Sequence, residues 1–175
     1  MHVPIIPGAP VRPSCAGNLD RMKPGQLAPD FTLSDQDAES RSLSSLLGNG
    51  PLVLFFYPAA STPVCTAEAC HFRDLGGEFA AVGASRAGIS TDTVEAQSTF
   101  ATAQSFDYPL LADTDGTVAE QFGVKRGLLG KLAPVKRSTF VIDVDRTVLK
   151  VISSELRANT HGDQALEFLR SRQRT

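Results

Sequence analysis

Cys65 has the strongest claim to chemistry in this sequence. It lies in Tyr57-Pro58-Ala59-Ala60-Ser61-Thr62-Pro63-Val64-Cys65-Thr66-Ala67-Glu68-Ala69-Cys70-His71-Phe72-Arg73-Asp74, directly after an apolar run. Thr62-Pro63 opens a helix: threonine is a good N-cap, and proline suits the first helical position because its missing N–H would be unbonded there anyway. That start puts Cys65 third in the helix, inside the first turn. There the free backbone N–H groups and the positive end of the helix dipole favour a thiolate over a thiol. The bland reading is a small side chain filling space, a common fate of cysteine. A capped helix start beyond the carboxyl end of a strand favours reactivity instead.

Ionisation alone does not make a catalyst. A free thiol of pKa about 8.5 is already about 3% thiolate at pH 7, so full ionisation gains roughly 30-fold. Enzymes usually exceed about a millionfold, so fixed donors must also hold an electrophile and stabilise departing charge. The Thr62 hydroxyl is one candidate and an arginine is another. Cys70 follows five positions after Cys65, about 7.5 Å of rise and 140° of rotation on an ideal helix, which separates the Cα atoms by roughly 8–9 Å. Disulfides rarely tolerate more than about 7 Å. The pair cannot bridge while the helix is intact, and a disulfide between them would require its first turns to unwind.

The elements that must position these residues can be read from hydrophobic pattern. Leu52 to Tyr57 is a continuous apolar, β-rich run, as expected of a strand buried on both faces. Helix is expected over 63–79, where Phe72, Leu75 and Phe79 share a face, and strand over 81–89. A helix over 92–106, a brief strand at 109–111 and a short helix over 116–122 follow. Phe140 to Asp143 and Val148 to Ile152 flank Val144-Asp145-Arg146 as an antiparallel hairpin, and Ala165, Leu166 and Leu169 give a last helix one apolar face. Upstream, Phe31 to Leu33 reads as extended and Leu43 to Leu47 as a helical turn. Strand–helix alternation closed by a hairpin and a helix predicts an α/β fold with a central mixed sheet flanked by helices.

The chain has 175 residues, 42% hydrophobic and 21% charged, the composition of an ordinary globular core. Seventeen basic against nineteen acidic side chains leave −2, which supplies no electrostatic footprint for nucleic acid. The longest apolar run, between Pro51 and Pro58, is about six residues against the roughly 20 of a bilayer span. Residues 1–21 carry Pro4, Pro7, Pro10 and Pro13 and read as a proline-rich, weakly ordered leader, with the domain running over 22–175. Those prolines interrupt any secretory apolar segment. With three cysteines, the sequence suits reactivity rather than disulfide stapling, and the reducing cytoplasm is the expected compartment.

Other features carry bland readings. Cys15 sits in the leader and reads as a spectator thiol. Cys65, Cys70 and His71 lie on one helix and do not converge on a metal. Asp113, Asp115 and Gly116 read as a turn and helix start rather than a calcium loop, and Gly76-Gly77 and Gly127 fit no nucleotide loop. No metal or cofactor is expected. The loop 127–134, with Leu128, Leu129 and Leu132, is unusually apolar, and local packing is its default explanation.

Pro58, Thr62 and Cys65 form the P-x-x-x-T-x-x-C pattern of peroxiredoxins. The wider string resembles the bacterioferritin comigratory protein (PrxQ) subfamily, with its T-P-x-C-T-x-E-x-C-x-F-R-D. The resemblance extends from residue 22 to about 172 and includes Ala28-Pro29-Asp30-Phe31, Gly88-Ile89-Ser90, Pro109 to Asp113 and Thr139 to Asp143. It implies a thioredoxin-like fold and a thiol-dependent peroxidase acting on hydrogen peroxide and organic hydroperoxides. By the resemblance Cys65 is the peroxidatic cysteine, Thr62 hydrogen-bonds thiolate and peroxide, and Pro58 shields the site. Arg137, three residues before Phe140, fits the active-site arginine, with Glu68 orienting it and Cys70 at the resolving position of an intramolecular disulfide. Thioredoxin or glutaredoxin is the implied reductant, and a monomer the implied state. Ala60 departs from the pattern, since many relatives are acidic there. Two competitors remain: a general thiol–disulfide oxidoreductase, disfavoured by the missing C-x-x-C, and a peroxide-responsive sensor or holdase without turnover.

Overall fold

A computed structural model describes residues 20–127 and 133–175. The leader apart from Asp20 and Arg21, Cys15, and Leu128, Leu129 and Leu132 of the apolar loop lie outside the described residues. The elements in chain order are β1 (Thr32–Ser34), β2 (Ser40–Ser42), α1 (Leu43–Leu47), β3 (Leu52–Phe56), α2 (Pro63–Asp74), α3 (Gly76–Ala81) and β4 (Ser85–Ser90). They continue with α4 (Val94–Gln104), β5 (Leu110–Ala112), α5 (Thr117–Gln121), β6 (Ser138–Ile142), β7 (Val148–Ser153) and α6 (Ala158–Gln173).

Five strands form one sheet in the order β5-β4-β3-β6-β7. β3, β4 and β5 run parallel, whereas β6 is antiparallel to β3 and β7 to β6, which makes the sheet mixed as expected. β3 is central, and its period-2 alternation explains the unbroken apolar run. Leu52, Leu54 and Phe56 enter a core with Phe31, Leu43, Phe122 and Phe140. Val53, Phe55 and Tyr57 enter the opposite core with Phe72, Phe79, Phe100 and Leu166. Phe72 of α2 stacks on Phe55 at 4.2 Å between ring centroids, tying the helix to the central strand. Gly88 makes room for this, because a Cβ there would meet Phe55 Cζ and Leu110 Cδ2 at 2.8 Å.

The pattern misplaces two boundaries. The helix expected over 63–79 is two helices, α2 and α3, separated at Leu75. Gly76-Gly77 follows the break, and glycine is among the weakest helix formers. Phe72 and Phe79 still stack at 6.0 Å across it, so the apolar spacing persists through the break. The strand expected from residue 81 begins at Ser85, after α3 ends and Gly83 turns the chain at φ +70. β2, Ser40-Arg41-Ser42, is not visible in the sequence pattern at all and pairs with β1. Asp113 accepts the amides of Val118 and Ala119 at 3.1 and 2.8 Å and so starts α5, the turn-and-helix role read for it. Among the described residues no helix is long and apolar enough to cross a membrane.

Candidate active site

The site forms at the carboxyl end of β3, where α/β sheets commonly bind ligands. After Tyr57 the chain passes half-buried Pro58 and turns through Ser61 at φ +61 before entering α2. The turn is held from β4: Ala60 N donates to Asp92 Oδ2 at 2.8 Å, and Ser90 Oγ donates to the same oxygen at 2.6 Å. Gln97 of α4 donates to Ser90 Oγ at 2.9 Å and accepts from the buried Tyr57 hydroxyl. The Asp92 carboxylate thus anchors the turn through the backbone of Ala60.

Thr62 is the N-cap in extended backbone and Pro63 takes the first helical position, so Cys65 falls third, inside the first turn. The threonine hydroxyl does not cap the helix; it donates to Ala59 O at 3.1 Å. Cys65 is 2% exposed. Its sulfur accepts from Arg137 Nη2 at 3.2 Å.

Arg137 comes from the chain just ahead of β6. β3 and β6 pair antiparallel with Phe56 opposite Ser138, so the residue before Ser138 lies beside the end of β3 that leads to Cys65. The guanidinium is buried and divides its donors: Nη2 to Cys65 Sγ, Nη1 to Glu68 Oε2, and Nε to Glu155 O at 3.3 Å. Glu68 stands three residues after Cys65, the spacing that puts both on one helix face. Burial pushes the Glu68 carboxyl up to about 8, against the pull of Arg137. Burial works against the charge of Arg137, but Glu68 and Cys65 outweigh it and hold the guanidinium protonated. A planar fork of this kind can hold a sulfur and an incoming oxygen together.

The structure brings Cys65, Glu68 and Arg137 into direct contact and sets Thr62 and Pro58 on the segment leading to them. Cys70 is not part of that contact. It is half-buried, its thiol donates to Gln104 Oε1 of α4 at 3.4 Å, and both cysteines are free on an intact helix. Arg73, the arginine of this helix, pairs with Asp74 at 2.9 Å and donates to Gln104 O at 2.6 Å. Sequence reasoning missed His161 of α6, which is fully buried with Nδ1 3.7 Å from Glu68 Oε1. The available signal was a histidine on the apolar stripe of α6, four residues before Ala165 and eight before Leu169.

Residues 24–151 match the AhpC/TSA family. The chain belongs to the AhpC/TSA family. Among its relatives, this family member is 65% identical to peroxidoxin BcpB from Mycobacterium tuberculosis, whose crystal structure superposes with a TM-score of 0.83 over 86% of this chain and 98% of that one. It is 37% identical to chloroplastic peroxiredoxin Q of Gentiana triflora over 86% of this chain and 68% of that protein. A bacterioferritin comigratory protein structure from Xanthomonas campestris matches at 30% identity and TM-score 0.73, over 81% of this chain and 91% of that one. The thioredoxin-like fold and the PrxQ resemblance are therefore those of this AhpC/TSA chain. Its class of chemistry follows: a peroxiredoxin is a thiol-dependent peroxidase.

Proposed function

We propose that the chain reduces hydrogen peroxide and organic hydroperoxides at Cys65. The Cys65 thiolate attacks the terminal peroxide oxygen, the O–O bond breaks, and the leaving alkoxide takes up a proton to give an alcohol, or water from hydrogen peroxide. The sulfur is left as a sulfenic acid. The Cys70 thiol then displaces the sulfenic hydroxyl as water and forms a Cys65–Cys70 disulfide. A dithiol protein, thioredoxin or glutaredoxin, reduces that bond and is itself oxidised. The observation that carries this reading is the guanidinium of Arg137 shared between Cys65 Sγ and Glu68, all three buried at the end of the central strand.

Each part has a role in the scheme. Arg137 holds the thiolate and the peroxide oxygens, and Glu68 holds Arg137. Thr62 turns its hydroxyl from Ala59 O to the bound peroxide, and Pro58 limits water at the site. Organic hydroperoxides are included because a partly apolar hollow of about 460 Å³ adjoins the first turn of α2, its apolar lining from Pro63, Val64, Ala67, Leu156 and Ala158 and its polar lining from Arg157, Asn159 and Thr160. The Xanthomonas campestris relative was itself studied for alkyl peroxide reduction. We place the protein in the cytoplasm as a monomer, with residues 22–175 as the working domain.

Steady-state peroxide consumption with thioredoxin present tests the reading. Wild type turns over repeatedly and C65S does not; activity retained in C65S overturns the assignment. A single round of oxidation without turnover would mark a sensor or holdase instead.

A further inference from the structure

Arg137 is held by Glu68, and Glu68 has one oxygen to spare. Oε2 pairs with Arg137 Nη1, while Oε1 is buried with no hydrogen-bond partner. The polar group facing it is His161 Nδ1 at 3.7 Å. α6 approaches α2 this closely because residue 162 is glycine: a Cβ there would stand 3.0 Å from both His71 Cδ2 and Leu75 Cδ1.

The state of the histidine follows from its other contacts. Nε2 lies 2.9 Å from Ser154 O, which can only accept, so Nε2 carries a hydrogen. Nδ1 lies 2.9 Å from Thr139 Oγ1 and, in a neutral ring, offers a lone pair. The Thr139 hydroxyl fills that lone pair, so a neutral ring brings no hydrogen to the spare oxygen of an ionised Glu68, which is left unpaired in a dry interior, a costly burial. One added proton resolves it, either on Nδ1, which lies 3.7 Å from Oε1 as well as 2.9 Å from Thr139 Oγ1, or on Oε1 itself.

We infer that His161 is a positioning residue of this site, sharing one proton with Glu68 so that the other carboxylate oxygen stays on Arg137 and the guanidinium stays on the Cys65 sulfur. The inference rests on the reading of Cys65 as the peroxidatic residue. Charge balance supports it. A Cys65 thiolate, Arg137 and an ionised Glu68 leave one net negative charge buried, and the shared proton brings the group to zero. The charged and titratable groups around the pair are Cys65 on α2, Arg137 ahead of β6 and Glu155 between β7 and α6. Burial, which lifts Glu68 and lowers His161, lets the pair keep its single proton at neutral pH.

The test compares two variants of the full chain by the rate at which the reduced protein reacts with hydrogen peroxide. H161Q keeps the contact to Ser154 O and removes the group at Nδ1, whereas H161N places an amide N–H at the Nδ1 position. H161Q slows the reaction roughly tenfold or more. H161N recovers most of that rate, although both variants shift the thermal midpoint alike. In wild type the rate falls as the shared proton is lost on the alkaline side of neutrality, and H161N flattens that fall. Equal losses in the two variants, an H161Q rate equal to wild type, or a wild-type rate that does not fall on the alkaline side of neutrality would overturn the inference. C65S is run beside them. If it still consumes peroxide, the reading of Cys65 fails; if it is inactive while H161Q matches wild type, only the role of His161 fails.

Discussion

Cys65 and Cys70 stand five residues apart on one intact helix, yet their sulfurs are engaged by different elements: Cys65 by Arg137 ahead of β6 at 3.2 Å, Cys70 by Gln104 of α4 at 3.4 Å. Neither contact survives a disulfide between them, and five-residue spacing on a helix is too wide for one. α2 therefore has to come apart at its first turns for the second thiol to act.

This gives the first expected outcome. C70S reacts once with peroxide at a rate near wild type, then accumulates sulfenic acid and overoxidises, with thioredoxin-linked turnover lost. Mass spectrometry of the oxidised protein reads the added oxygens. In wild type, oxidation speeds hydrogen exchange at the amides of the first half of α2, and unchanged exchange would argue against unwinding.

Arg137 is the second target. R137K keeps a charge but loses the planar fork that spans Cys65 and Glu68. Removing a preorganised donor of this type costs about a hundredfold or more in rate. Stopped-flow measurement of sulfenic acid formation in R137K checks the size of the loss.

Thr62 separates hydroxyl chemistry from shape. T62S keeps the hydroxyl and stays within a few fold of wild type. T62V removes it at nearly constant volume and loses about a hundredfold in peroxide rate. Equal rates in the two variants would leave the hydroxyl without a part in the reaction.

Stability should depend on pH through Glu68 and His161. Glu68 is raised from 4.5 to about 8, so its contribution is fully present below about 4.5 and is lost as pH rises towards about 8. His161 is lowered from 6.5, so its contribution is present above 6.5 and is lost on acidification. The two oppose each other below 6.5, and above it only Glu68 acts. Between 6.5 and about 8 the folded protein holds one more proton than the unfolded chain, and stability falls by about 2 kcal/mol as pH rises. Urea midpoints across that window measure the fall, which E68Q removes.

The site was legible in the sequence where it is local. Pro58, Thr62 and Cys65 follow one strand end into one helix start, and β3 shows itself because both of its faces are buried. What was hidden depends on pairing between distant segments. Arg137 was assigned only through the resemblance and its spacing from Phe140; the β3–β6 register that carries it to Cys65 is not written in the residues around it. β2 exists because Ser42 and Arg41 pair with Thr32 and Leu33, not because Ser40-Arg41-Ser42 has strand character. His161 reads as one more member of the buried stripe of α6, and only the packing of α6 on α2 reveals what it faces.

The far half of α2 is tied down differently from the half that carries Cys65. Phe72 is stacked on Phe55, Tyr108 OH donates to Ala69 O at 2.7 Å, and Arg86 Nη1 donates to Phe72 O at 2.5 Å. Fraying that starts at Pro63 would run into this clamp and halt, leaving a stub already wound in the right register. If a reductant cleaves the proposed Cys65–Cys70 bond, the lost turns would regrow from that template rather than from a disordered coil, and resetting would need no fresh nucleation.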